Sequence, residues 1–419
     1  MRPICLKDSN VKILLLSILV FFLLYNISFK YNASLTTGRI AVLTLLGWAL
    51  LIGRSPVPLL NSRTWLVFLP LPYVAIQYFL VGDFGQLSRF INLAFYSYVG
   101  AALVVIIAYD AKVVFVAILG AITAQAAILL FSFFSFEYRT WFDAITVSDS
   151  NYEALYLYRA PGFAGAGGSG LSLIQSLGVL VGWLLLRKNK LYEPVTGGWV
   201  YLVIFSMILS LVSCVAVGRI GLLLSVIFMG MFLLSERFRP GAALLLLVFS
   251  VSLYLITNNY LILLLADDFS LEYFRTWAFG FFTGNDSTIE AIFDMPIPPF
   301  NIETIHGSGL VSLIDGSNPS GHDSGFIQAY YSMGLPFTIL LYAFYLYVLF
   351  YVMSWFPILM RIALVIVFFA IEAKEPFLFK YSTMVVLMSV HFSHVVIQDS
   401  RRRELRIEGT EATEATETT

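Results

Sequence analysis

The sequence predicts an all-α polytopic membrane protein, with about twelve transmembrane helices and a large ordered loop on its outer face. Three observations carry the prediction. The 419 residues are 59% hydrophobic and only 12% charged, about half the charged share of a soluble domain. Apolar runs recur along the whole chain at lengths that suit a bilayer. Two segments between them are too long to be simple turns. At about 20 apolar residues per crossing, twelve crossings take roughly 240 residues, which matches the hydrophobic share. The same composition excludes a soluble enzyme, a disulfide scaffold and a disordered protein. A net charge of −1 leaves no basic footprint for nucleic acid. Cys5 and Cys214 imply no disulfide framework.

In order, the runs cover roughly 12–29, 39–53, 64–81, 90–108, 113–136, 163–186, 198–217, 220–235, 241–264, 326–353, 357–371 and 377–398. The ninth is interrupted by Asn258-Asn259 and the tenth by Gly334 and Pro336. The first lacks a small-residue cleavage site and reads as a retained span. Twelve crossings put both termini on one side, and the bias of Lys and Arg chooses it. With the N-terminus inside, sixteen of the 25 cations fall in inner segments and nine in outer ones. The chain thus divides into four parts. Residues 1–265 hold nine helices and an outer loop at about 137–161. Residues 266–323 form the large outer loop, and 324–400 the last three helices. Residues 401–419 are a cytoplasmic tail, acidic and Thr-rich, which is expected to be disordered.

The large loop is rich in Phe, with Tyr273 and Trp277 beside seven Phe, and so favours packing. Ser287-Thr288-Ile289-Glu290 matches a capping box for a short helix near 288–293. Its single cation is Arg275, which reads equally as a local ion pair or as a bidentate anion binder. His306 begins His306-Gly307-Ser308-Gly309. His322 precedes Asp323, an expected N-cap for a helix from Ser324 to about Met333. A His beside a helix N-terminus can act as base or anion ligand, although a solvated loop His is the commoner case. Arg159 precedes a Gly-rich run that includes Gly170. No strand precedes that run, so it marks close helix packing or backbone approach to a ligand. Arg219 lies between two apolar runs, where an unpaired guanidinium is costly; snorkelling to headgroups is the plainer reading. His391 and His394 share a spacing but make a weak metal claim. Glu372 to Glu375 reads as a short outer turn with local pairing.

Four of these segments resemble the bacterial O-antigen polymerases (Wzy-type) and the related ligases. Arg159 followed by Gly170 fits the family's R-x10-G pattern, and Gly218-Arg219-Ile220-Gly221-Leu222-Leu223 is similar to its small-Arg-small-Gly-Leu-Leu element. Arg275-Thr276-Trp277 with Gly307-Ser308-Gly309 resembles R-x-x-W…G-x-G, with one residue rather than two between Arg and Trp. Gly321-His322-Asp323-Ser324 with Gly334 resembles H-N-S…G, with Asp in place of Asn. The second loop departs from the family in having no R-x10-G match of its own, since position 286 is Asp.

The resemblance implies a GT-C-like, metal-independent glycosyltransferase of the inner membrane, with both termini cytoplasmic and a periplasmic site. It would join undecaprenyl-diphosphate-linked repeat units into O-antigen or a related surface polysaccharide. Arg159, Arg219 and Arg275 would bind diphosphate. His322 would take the acceptor hydroxyl proton or hold a phosphate oxygen. Gly170, Trp277, His306 and Asp323 would line the substrate, and Trp141, Tyr156 and Trp277 could stack on sugars. The implied partners are the lipid-linked donor and acceptor, membrane lipid and a chain-length regulator protein. No cofactor, metal or nucleic acid is implied. A ligase that transfers polymer to lipid A core, and a transporter or flippase of lipid-linked glycans, are the alternatives. Transport is disfavoured by the absence of internal repeats and of mid-membrane charge.

Overall fold

The computed structural model describes residues 9–56, 68–146, 162–164, 169–187, 194–235, 295–313, 317–354, 356, 358–374, 376, 378 and 381–398. They are mostly helical. The N-terminal part holds α1 (Ser9–Tyr25), α2 (Thr37–Leu51) and α3 (Leu71–Val81). It continues with α4 (Gly85–Asn92), which passes through a π-helical stretch at Leu93–Gly100 into α5 (Ala101–Ala108). Next come α6 (Ala111–Phe134), α7 (Phe136–Ile145), α8 (Ser169–Leu186), α9 (Gly198–Val217) and α10 (Arg219–Ser235). The C-terminal part holds α11 (Ile302–His306), α12 (Gly325–Met333), α13 (Leu335–Tyr347), α14 (Ile358–Lys374) and α15 (Tyr381–Gln398). Gly85–Ala108, Ala111–Ser132 and Tyr381–Gln398 are long and apolar enough to cross a membrane, and shorter apolar helices accompany them. The chain is built as a helical membrane protein. The ninth run, the capping-box helix near 288–293 and the tail after 398 lie outside the described residues.

Local sequence explains most of the helix limits. Asp110 caps α6, its carboxylate accepting the Lys112 N–H at 2.8 Å, and Ser135 caps α7 through the Tyr138 N–H. Each such cap is worth about 1 kcal/mol. Tyr109 and Gly82 close their helices in the left-handed region. The expected tenth span breaks at Gly334, φ +82, into α12 and α13, and Pro336 stands in the first turn of α13, where it needs no donor.

The first span is shorter than expected. It stops at Tyr25, and an antiparallel hairpin follows, β1 (Ser28–Phe29) with β2 (Asn32–Thr36), so the fold is not wholly α. The hydropathy of Ile27 and Phe29 hid this turn. Polar side chains decide it. Asn26 Oδ1 accepts the Gly38 N–H at 3.0 Å, and Thr37 Oγ1 accepts the Ile27 N–H at 2.8 Å. These bonds satisfy the backbone where the helix ladder ends. Phe29 bridges to Thr146, which ties the hairpin to the end of α7.

The two ends of the helical body differ in chemistry. At one end Lys12 Nζ donates to Ala108 O at 2.9 Å and Arg54 Nη1 to Ile106 O at 2.8 Å, with the Arg54 guanidinium over the Tyr109 ring. Arg361 Nη1 likewise donates to Phe350 O. Cations there meet the exposed carbonyls and negative dipole ends of helices. The opposite end of α1 and α5's helix carries the hairpin and the α3–α4 turn.

Inside, α1, α6, α8, α9 and α10 bury a continuous apolar core with a polar seam through it. Tyr25 Oη accepts from Gln175 Nε2 at 3.0 Å, and Ser213 Oγ donates to Gln175 Oε1 at 3.2 Å. Such bonds between apolar helices contribute roughly 0.6 kcal/mol each and fix register.

Candidate functional site

The family-like segments meet in two places, and glycine makes both contacts. In the first, Gly221 of α10 lies against α8. A Cβ there would fall less than 3.0 Å from Ser172 O, C and Cβ, and its N–H donates to Ser172 Oγ at 3.1 Å. Ser172 stands two residues after Gly170, which is buried at the head of α8. The Gly218–Leu223 element and the end of the R-x10-G element are therefore packed together. Arg219 is the first residue of α10, after the extended Gly218. The placement of its side chain, and all of Arg159, Arg275 and Trp277, lie outside the described residues.

In the second contact the 307–309 strip runs along the end of α12. Ser308 N–H donates to Tyr331 O at 2.7 Å and Gly309 N–H to Ser332 O at 3.0 Å. Gly307 (φ +80) and Gly334 (φ +82) press backbone on backbone, with no space for a Cβ on either. Here the G-x-G spacing serves close packing. Two residues of α3 hold the strip from the other side. Tyr73 Oη and Gln77 Nε2 both donate to His306 O, and Gln77 also reaches Ser332 O at 3.2 Å. His306 contributes this carbonyl and leaves its side chain exposed.

His322 is the sequence-predicted residue that the fold encloses. It is 5% exposed, and its Nδ1 accepts the Ser324 N–H at 2.9 Å. Its carbonyl accepts from Asn318 Nδ2, Ser320 Oγ and Gln328 Nε2. A ring nitrogen that accepts a backbone N–H carries no proton, so the neutral ring carries it on Nε2 and presents a donor. The cap of α12 is Ser324, one residue later than expected. Ser324 has the extended φ −59, ψ 129, and the helix begins at Gly325. Asp323 is exposed, its carbonyl accepting from Gln328 Nε2 at 3.1 Å and its N–H donating to Met295 Sδ. Asp323 forms no cap, since the helix begins one residue later and leaves it outside the first turn.

Beneath this helix head lies a residue whose place the sequence did not reveal. Glu372 is wholly buried in the last turn of α14 and forms no surface turn. Its Oε1 accepts from Tyr342 Oη at 2.8 Å and its Oε2 from the Leu378 N–H at 2.8 Å. Its carbonyl lies 3.5 Å from Ser324 Oγ, and its carboxylate presses so close to Gly325 that no Cβ fits there. Arg89, in α4, lies within electrostatic reach of Glu372, Asp83 and Tyr342. Glu372 therefore joins α12, α13 and α14 at one point. An acid at the margin of an apolar run was the available signal. It was missed because the hydropathy stops at residue 371 while the helix continues to Lys374.

Asp83, in the α3–α4 turn, ties the strip to the helical body. It accepts the N–H groups of Gly85 and Val311, each at 2.7 Å. Burial raises the Asp83 pKa, but bonds from Val311, Gly85 and Ser312 and the charge of Arg89 outweigh it and hold the carboxyl below its ordinary value. A depressed folded pKa contributes stability that is present above the unfolded pKa and is lost as pH falls through the folded one. We expect Asp83→Asn to speed amide exchange at Val311 and Ser312 at neutral pH. The wild type should show similarly low protection, relative to the intrinsic exchange rate at each pH, only below the ordinary carboxylate range. Equal exchange in both proteins at pH 7 would refute the tie.

Comparison with family models, with curated proteins and with solved structures finds no match to this chain.

Proposed function

We propose that this chain polymerises lipid-linked oligosaccharide repeat units on the periplasmic face of a bacterial inner membrane. About twelve crossings would place both termini in the cytoplasm. The observation that carries the reading is the setting of His322. It is buried at the head of α12, in a segment held at its far end by the other family-like strip, through Gly307 on Gly334. The basic end of the helices agrees with an inner face, and His322 belongs to the segment expected outside.

In the reaction the acceptor hydroxyl oxygen bonds to the donor's anomeric carbon. The bond from that carbon to the diphosphate oxygen breaks, and the hydroxyl proton passes to the departing diphosphate. As held by Ser324, the His322 ring favours donating Nε2–H to an oxygen that gains charge, the role of an oxyanion donor. Taking the acceptor proton would need Nδ1 released or the tautomer reversed. Diphosphate neutralisation falls to Arg159, Arg219 and Arg275, and sugar stacking to Trp277.

The test is complementation of a strain lacking this gene. The wild-type chain should restore a polymer ladder on a gel, and His322→Ala, at equal membrane abundance, should reduce polymer by about a hundredfold. Single-repeat glycolipid should remain. A full ladder from His322→Ala would remove the residue from the mechanism. A deletion strain with no repeat at all on its lipid A core would favour the ligase reading instead.

A further inference from the structure

The polar turn before α12 is held from both sides. On the near side, Asn318 Nδ2 donates to the His322 carbonyl at 2.5 Å, and Asn318 Oδ1 accepts the Ser320 N–H at 3.0 Å. From the far side Gln328 reaches back out of the first turn of α12. Its Nε2 is shared by two successive carbonyls, His322 O at 3.3 Å and Asp323 O at 3.1 Å. A carbonyl oxygen has two lone pairs, and two amides, one from each side, occupy those of His322. With this peptide fixed, the Ser324 N–H stands against the ring and meets Nδ1 at 2.9 Å. The other ring nitrogen differs. His322 Nε2 has no partner among the described residues, yet it is not sealed inside the protein as Nδ1 of His391 and Nδ1 of His394 are. The ring is gripped at Nδ1 and open at Nε2.

We infer that Gln328 is a positioning residue for His322. It fixes the His322–Asp323 peptide, so that the ring keeps one tautomer and offers Nε2–H. The inference rests on the polymerase reading, in which His322 donates to an oxygen that gains charge, and adds the residue that keeps the donor aimed. Its place on a helix singles Gln328 out. Asn318 and Ser320 belong to the same irregular turn as His322 and move with it. Gln328 belongs to α12, and the far end of that helix is bonded to the 307–309 strip and pressed on Gly307. It therefore ties the ring to a rigid element. A donor aimed at developing charge has to be held within about 0.5 Å, which side chains on a turn do not achieve by themselves. Gln328 is only half-buried, so its amide can be altered without opening the core.

Two variants of the full chain test this. Gln328→Met keeps the length of the side chain and removes the donor. Gln328→Glu keeps the shape, but a carboxylate accepts and cannot donate to the two carbonyls. A carboxylate in the first turn also favours the helix itself, so Gln328→Glu should melt no lower than wild type. Both should reach wild-type membrane abundance and lose about tenfold or more in polymer. In a His322→Ala background Gln328→Met should cost nothing further, because a residue that acts through His322 has nothing left to position. Ring-nitrogen NMR of the histidine-labelled chain, which has four His, reads the tautomer without reference to polymer. Wild type should show His322 with a bare Nδ1, and in Gln328→Met the second tautomer should appear. Wild-type polymer from both variants overturns the inference, as does a further loss in the His322→Ala background or an unchanged tautomer in Gln328→Met. Absence of both variants from the membrane would mean that Gln328 supports the fold, and overturns it too. A wild-type chain that restores no polymer sinks the polymerase reading and this inference with it. Failure at Gln328 alone leaves that reading standing.

Discussion

Gly307→Ala is expected to abolish the folded protein. The added Cβ would lie less than 3.0 Å from Gly334 N, Met333 C and Ser332 O, all backbone atoms at the end of α12. None can swing aside as a side-chain tip can. The residue also sits at φ +80, where an L side chain is strained. Strain of about 1–3 kcal/mol adds to overpacking of about 1–3 kcal/mol, and the sum approaches the whole stability of a marginal fold. Gly53 supplies the control. It has φ +66, and open space of at least 4 Å surrounds the point where its Cβ would stand, so Gly53→Ala should meet the strain alone. The check is membrane abundance and detergent melting temperature for both variants. Gly307→Ala with a melting temperature close to that of Gly53→Ala would show that the strip can move away from α12.

That contrast also shows what was legible in the sequence. Most helices were, because hydropathy over many residues averages out local detail. The limits of α9 coincide with the expected run at 198–217. Gly307, Gly309, Gly321 and Gly334 were legible as special positions but not in their roles. The same pattern of glycines serves a ligand cradle or a tight backbone crossing, and only geometry separates them. The hairpin after Tyr25 was illegible because its causes, Asn26 with Gly38 and Thr37 with Ile27, join residues ten or more apart. His322 was found from its place before a helix start, but its burial and the engagement of its Nδ1 depend on Asn318, Ser320 and Ser324 acting together. Arg89 and Glu372 were missed. Each looks like an ordinary end-of-span residue, and only the tertiary fold brings Arg89 within electrostatic reach of Glu372.

Glu372→Ala should be the most damaging change among the charged residues. It removes the acceptor for Tyr342 Oη and for the Leu378 N–H. It also takes from Arg89 the carboxylate that acts most strongly on it. Leaving these two buried donors without their acceptor costs about 1–3 kcal/mol each, so a loss of about 3 kcal/mol is the expectation. The gap it opens beside Gly325 lets the head of α12 shift, and with it His322. Two further variants separate charge from shape. Glu372→Gln keeps an oxygen for Tyr342 and fills the space, so it should lose less than Glu372→Ala. Arg89→Met combined with Glu372→Met leaves no stranded charge and should recover stability relative to Glu372→Ala, since replacing both partners by apolar groups is often neutral. The measurement is detergent melting of the four proteins. If Glu372→Ala melts within a degree or two of wild type, the carboxylate is not the junction of these helices. If Glu372→Ala melts low while the double methionine variant matches wild type, the charge is dispensable to the fold. Its retention in so charge-poor a chain then has to be explained by what it does beside His322.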